Sequence, residues 1–298
     1  MTKRIIALLL VFSLVFSFAA CNNNENIENT TESTTGSTTE STTETTTETT
    51  TQIPTVKVTI PEGYTLVRIS WLLEEKGLCT SKDFIDACQN YKNWLDLTQY
   101  PFLNDLQNAK NVCFYLEGYF FPLTYDIPEN ATVEDIIKMF LNGTKQVFND
   151  TFMMSIQNSG FNLHEILTLA SLIEKEALLP EQRPMISSVL HNRLGAGMMF
   201  QCDPTVKYCT GVIEYIYPEK IDYFKYYYNT YRCKGLMAGP ICNPGIESIN
   251  AAINPADTDY LYFIIGTVEP YEAKYSKTYD EHQKFWIENK DRLTGGKS

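Results

Sequence analysis

Residues 167–184 read LTLASLIEKEALLPEQRP, an apolar helical run interrupted by two glutamates, Glu174 and Glu176. Asn162 with Glu165 three residues on is a helix start, and Pro180 opens a second helix. That helix presents Ile186, Val189, Leu190 and Leu194 before Gly195 stops it. The stretch therefore predicts two helices meeting at a turn. At about 100° per residue, Ile166, Leu167, Ala170, Ile173 and Ala177 share a side with Leu163, and Glu174 falls among them. Glu176 points about 160° away, next to Glu165 and Leu172, at an edge that reaches water. A carboxyl among apolar neighbours holds its proton more tightly, which is how a general acid for neutral pH is made. Periodicity leaves a second reading open, in which Glu174 is a structural carboxylate paired with a buried arginine such as Arg183 or Arg193. An open cleft around Glu174 would favour the first reading, and a sealed, arginine-paired carboxyl the second. Glu176 reads as a solvated face.

Upstream, TVKVTI (residues 55–60) alternates as a half-buried strand, PEGYT turns, and Leu66, Ile69, Leu72 and Leu73 make a helix that Gly77 ends. A short helix follows from Ser81 to Tyr91. After an aromatic stretch broken by Pro122, TVEDIIKMFLNG reads as a capped amphipathic helix stopping at Gly143. No long period recurs, which excludes a solenoid.

The N-terminus carries Lys3 and Arg4, then an apolar run from Ile5 to Ala20, short for a spanning helix. That is the pattern of a signal peptide (1–20). Ala19 and Ala20 before Cys21 resemble a bacterial lipobox, so Cys21 is expected to be lipidated, fixing the chain to the outer side of a cell membrane. Residues 21–54 are Thr, Ser, Asn and Glu with almost nothing apolar, a disordered linker. The formal charge of −12 excludes nucleic acid as a partner and a broad contact with anionic lipid. Seven cysteines remain beyond Cys21 without zinc-ligand spacing, so no metal is expected. Buried free thiols are the first reading of them, and a disulfide among Cys202, Cys209, Cys233 and Cys242 stays open.

LEGYFFPLTY, LASLIEKEA, ISSVLHNRLGAGMMFQCDPTVKY, YNTYRCKGLMAGPICNPGIESINAAINPADTDYLYFI and SKTYDEH occur in that order between Val112 and Phe285. Together they resemble the successive motifs of the MltG (YceG-like) endolytic murein transglycosylases. The resemblance implies an α+β fold: a catalytic domain of helices with a small sheet (106–290), preceded by a small, partial LysM-like strand-and-helix module (55–105) and the lipoprotein linker. It implies a lyase that cuts the bond between N-acetylmuramic acid and N-acetylglucosamine in nascent peptidoglycan, leaving 1,6-anhydro ends and terminating strand growth. No cofactor is needed. Peptidoglycan glycan strands are then the substrate, and peptidoglycan synthases are candidate partners.

By motif position the resemblance assigns Glu174 as the catalytic residue, and Gln201, Asp203, Asn229 and Tyr231 as substrate-binding groups. Asp203 before Pro204 also suits a turn, and Asn229 a cap. Asn192 and Arg193 read as supporting residues, with Arg193 near a carboxylate, while His282 receives no role. GLMAGP departs from the family's GLPPGP and is expected to loosen a turn near the cleft. The lyase chemistry needs one carboxyl where a glycosidase needs two, because the sugar's own 6-hydroxyl attacks. Two other readings compete: a hydrolysing muramidase using Asp203 as second carboxylate, and a non-catalytic lipoprotein that binds wall glycan.

Overall fold

Val56 and Val58 alternate with Thr55, Lys57 and Thr59, and this forms strand β1 (Thr55–Thr59). The computed structural model describes residues 53–296, so the expected signal peptide, Cys21 and nearly all of the linker lie outside the described residues. Helices α1 (Leu66–Glu75) and α2 (Ser81–Gln89) follow, each capped by a threonine, Thr65 and Thr80, whose side chain accepts from a first-turn amide. Leu66, Ile69 and Leu73 of α1 are fully buried, as their spacing predicts.

The partner of β1 comes from past the boundary expected at residue 105. Strand β2 (Thr124–Pro128) pairs antiparallel with it, setting Val58 opposite Tyr125 and Val56 opposite Ile127. Helix α3 (Val133–Val147) packs against β2 and α2. Gly143 does not stop it, contrary to the sequence reading. A Cβ there would stand 2.7 Å from the Tyr125 hydroxyl, so this glycine is a contact point inside the helix.

After α4 (Asp150–Asn158) comes α5 (Leu163–Glu176), whose Asn162–Glu165 capping box forms as expected. Every residue from Ile166 to Ile173 is buried, so α5 is the central helix, enclosed on all sides. Helix α6 (Arg183–Gly195) packs along it, followed by the short α7 (Asp203–Tyr208), a π-helical turn at Cys209–Ile213 and α8 (Ile221–Tyr228). Helix α9 (Ile246–Ile253) covers both α5 and α6. A hairpin of β3 (Tyr262–Ile265) and β4 (Ala273–Ser276) then packs under α10 (Tyr279–Thr294). The result is a mixed helical fold with two small antiparallel sheets.

A buried polar knot joins the front of the chain to this helical part. Glu117 Oε1 accepts from the Leu66 amide at 2.8 Å and from Asn243 Nδ2 at 3.2 Å, while Tyr208 donates to Oε2 at 3.1 Å. Asn243 also accepts from the Phe120 amide and donates to the Tyr64 carbonyl, both at 2.9 Å. The LEGYFF and CNPG motifs therefore meet here. GLMAGP is not a loose turn: His164 Nε2 donates to the Ala238 carbonyl at 2.9 Å, and the Ala238 amide to the Tyr227 carbonyl at 3.1 Å. The seven cysteines among the described residues carry free thiols, five of them buried.

Candidate active site

Both glutamates sit in the last turn of α5, where the carbonyl end of the helix dipole opposes negative charge. Their surroundings differ, and in the sense opposite to the sequence expectation. Glu174 Oε2 accepts from the Ser248 hydroxyl at 2.6 Å and from the Gly245 amide at 3.3 Å, at the N-terminal end of α9. Arg183 Nε in turn donates to Ser248 Oγ at 3.0 Å. Glu174 is thus linked to the half-buried Arg183 only through a serine, not paired with a buried arginine directly, and it joins α5 to α9. Glu62 stands nearby, its proton affinity raised by burial and then by the charge of Glu174.

Glu176 occupies the environment foreseen for Glu174. It lines a cleft of about 500 Å³ together with Gln201, Asp203, Tyr231, Tyr262 and His282. Burial lifts its pKa to about 7, the Asp203 carboxylate adds to this, and the Cys202 thiol, Lys207 and Arg193 oppose it. Glu174 does not line this cleft. The reversal has a plain cause. Because α5 is enclosed on all sides, its apolar stripe does not mark the inner face, and Leu172 and Ile173, one turn before Glu176, are as buried as Leu167 and Ala170. The signal that was present in the sequence is Leu169 and Leu172 on the supposed outer side.

The loop that carries Gln201 and Asp203 is fixed by a pair of buried hydroxyls. Thr230 Oγ1 accepts from the Cys202 amide at 2.9 Å and lies 3.0 Å from Thr205 Oγ1, which donates to the Cys202 carbonyl at 2.7 Å. Gln201 adopts φ of 53°, a left-handed conformation uncommon without glycine. Asp203 Oδ1 accepts from the Tyr231 hydroxyl at 2.7 Å, so these two expected binding residues meet across the cleft. Asn229 is not brought there. Its side chain accepts from the Tyr231 amide at 2.9 Å and shapes the turn that presents Tyr231, as a cap would.

Arg193, expected near a carboxylate, forms an ion pair with none among the described residues. Its guanidinium donates to the carbonyls of Leu261 at 2.5 Å and Phe200 at 2.6 Å and lies 5.1 Å from the centre of the Tyr262 ring. Asn192 donates to the carbonyls of Thr258 and Tyr260 at 2.8 and 2.9 Å. These two side chains hold β3 against the Gln201 loop and close the cleft between them. His282, which the sequence left unassigned, stands 5.4 Å from Tyr262 and 6.2 Å from Tyr279, ring centre to ring centre. Burial and the charge of Arg193 lower its pKa, so the ring is neutral at physiological pH, and its buried Nδ1 has no hydrogen-bond partner among the described residues. The three rings form an aromatic wall opposite the acid.

The helical fold thus holds one proton-retaining carboxyl in a cleft walled by aromatics and amides. The chain belongs to the YceG-like family, whose pattern it matches over residues 9–286. It is 36% identical over 237 residues to the endolytic murein transglycosylase of Bacillus subtilis, covering 76% of this chain and 63% of that relative. Identity is 30% over 244 residues to the endolytic murein transglycosylase of Streptococcus pneumoniae, covering 76% of this chain and 43% of the relative. The chain thus spans less than two thirds of the length of these curated relatives. A crystal structure of a YceG-like protein from Listeria monocytogenes superposes with a TM-score of 0.67 at 32% identity, covering 77% of this chain and 75% of that one.

Proposed function

We propose that the chain is an endolytic murein transglycosylase whose general acid is Glu176. One observation carries the reading: of the two acids in the EKE element, Glu176 alone faces the cleft, with a pKa of about 7. At neutral pH about half of the molecules then hold the proton to be donated. In the proposed reaction Glu176 gives it to the oxygen bridging N-acetylmuramic acid and N-acetylglucosamine, and that bond breaks. The resulting carboxylate takes the proton of the muramic 6-hydroxyl as its oxygen bonds to C1, closing the 1,6-anhydro ring. Water is not consumed, and the acid is regenerated. Tyr262, Tyr279 and His282 offer flat faces to sugar rings, and Gln201 with the Asp203–Tyr231 pair offers polar groups to hydroxyls and acetamides.

The hydrolysing alternative has a specific point in its favour, since Asp203 lines the same cleft as Glu176. Mass spectrometry of digested murein separates the two: anhydro-muramic ends support the lyase, and reducing ends support hydrolysis. Retained digestion by Glu176→Gln, with loss in Glu174→Gln, would return the role to Glu174, where the family resemblance put it. The reading includes anchoring outside the cell membrane through lipidated Cys21, with a synthase as partner. The N-terminal pattern of residues 1–54 supports the anchoring, and the family resemblance alone supports the partner.

A further inference from the structure

A second cavity of about 500 Å³ lies on the other side of the wall that bears Glu176. Arg68 and Trp71 of α1, Lys175 of α5, and Pro204 and Lys207 of α7 line it. Lys175 is the residue between the two glutamates, and Pro204 follows Asp203 directly. The last turn of α5 and the start of α7 therefore form part of the wall of both cavities, with consecutive residues lining one or the other.

Three cations converge on this cavity in a chain of net charge −12, and no acid lines it. The ion pairs of the described residues use Lys57, Lys82, Lys138, Lys277 and Arg292, leaving Arg68, Lys175 and Lys207 without a carboxylate partner among those residues. The nearby Glu117 is fully enclosed and, with a pKa of about 8, mostly neutral at pH 7, so it cancels little of their charge. Trp71, 40% exposed, meets the Tyr215 ring edge-on at 5.5 Å, and Val67, Val212 and Ile241 add apolar surface.

We infer that this cavity binds the carboxylates of the short peptide carried by the muramic acid residues of the substrate strand, so that the enzyme acts on peptide-bearing rather than naked glycan. The inference rests on the murein reading above. The chemistry fits in three respects. Stem peptides hang from the muramic sugar itself, so the peptide of a sugar seated near Glu176 starts within reach of the dividing wall. Their free carboxylates match a cluster of unpaired cations, one of them a guanidinium suited to bidentate contact. Their alanine methyl groups match the apolar floor.

The test uses the full chain, its Arg68→Glu and Arg68→Lys variants, and a soluble muramoyl peptide with free carboxylates. Arg68 is exposed and is not among the charges that set the pKa of Glu176, so its reversal leaves the acid intact. Calorimetry is expected to show salt-sensitive peptide binding, weakened about tenfold by Arg68→Glu and about threefold by Arg68→Lys, which keeps the charge and loses the bidentate fork. On strands, Arg68→Glu is expected to lower kcat/KM about tenfold for peptide-bearing glycan and to leave amidase-stripped glycan unchanged. Peptide binding without any strand cleavage would keep the cavity assignment and sink the murein reading instead. Cleavage in which Arg68→Glu changes neither peptide binding nor the preference for peptide-bearing strands would overturn the inference and spare that reading. Binding of inorganic pyrophosphate, with the peptide unable to compete, would also overturn it, assigning the cations to a phosphate ligand.

Discussion

At the level of single residues, Glu174 and Glu176 differ by what surrounds their carboxyl oxygens, and each substitution should report that difference. Glu176→Gln is expected to fold normally and lose about 10²–10⁴-fold in kcat, the usual worth of a positioned acid. Glu174→Gln should instead lower stability by about 1 kcal/mol, the difference between a charged and a neutral hydrogen bond from Ser248, with turnover per folded molecule largely kept. The proposed reaction needs the protonated acid, so kcat/KM should be level below pH 7 and fall tenfold per unit above it. Asp203→Asn removes a charge that favours the proton on Glu176, so the falling limb should move to lower pH, read from the same rate profile. Much of this cleft is legible in the letters: QCDPT and YNTY point to Gln201, Asp203 and Tyr231, which the structure brings together around one opening. The choice between the two acids was not legible. A helical stripe tells inside from outside only when one side of the helix meets water, and from Ile166 to Ile173 α5 meets water on neither side.

Among the elements, capping signals transferred well because they are local: Asn162 and the Thr132 that opens TVEDIIKMFLNG both start helices where the sequence places them. Gly143 misled for the converse reason. Its absent side chain makes room for Tyr125, which is distant in sequence, and no neighbouring residue announces that. Gly143→Ala should therefore destabilise by about 1–3 kcal/mol despite the better helix propensity of alanine, as overpacking does, and a denaturant titration would show it. Strand β2 went unread because it ends a stretch so rich in aromatics that alternation is masked, and its partner lies 65 or more residues away.

For the whole molecule, the knot around Glu117 couples stability to pH. Its carboxyl has a pKa of about 8 in the folded chain against 4.5 ordinarily. The folded state therefore holds more protons between those values, and stability is lost as pH rises from about 4.5 to about 8, then levels off. Glu117→Gln should flatten that decline, measured as melting temperature against pH, while its amide still accepts from the Leu66 amide. The pairing of β1 with β2 works at this scale too. A chain synthesised from its N-terminus exposes Thr55–Thr59 long before Thr124–Pro128 exists to receive it. The first strand of the described residues must consequently wait for later sequence to emerge before it is paired. Cutting the chain at residue 105 would then yield two fragments with raw edges rather than two independent parts.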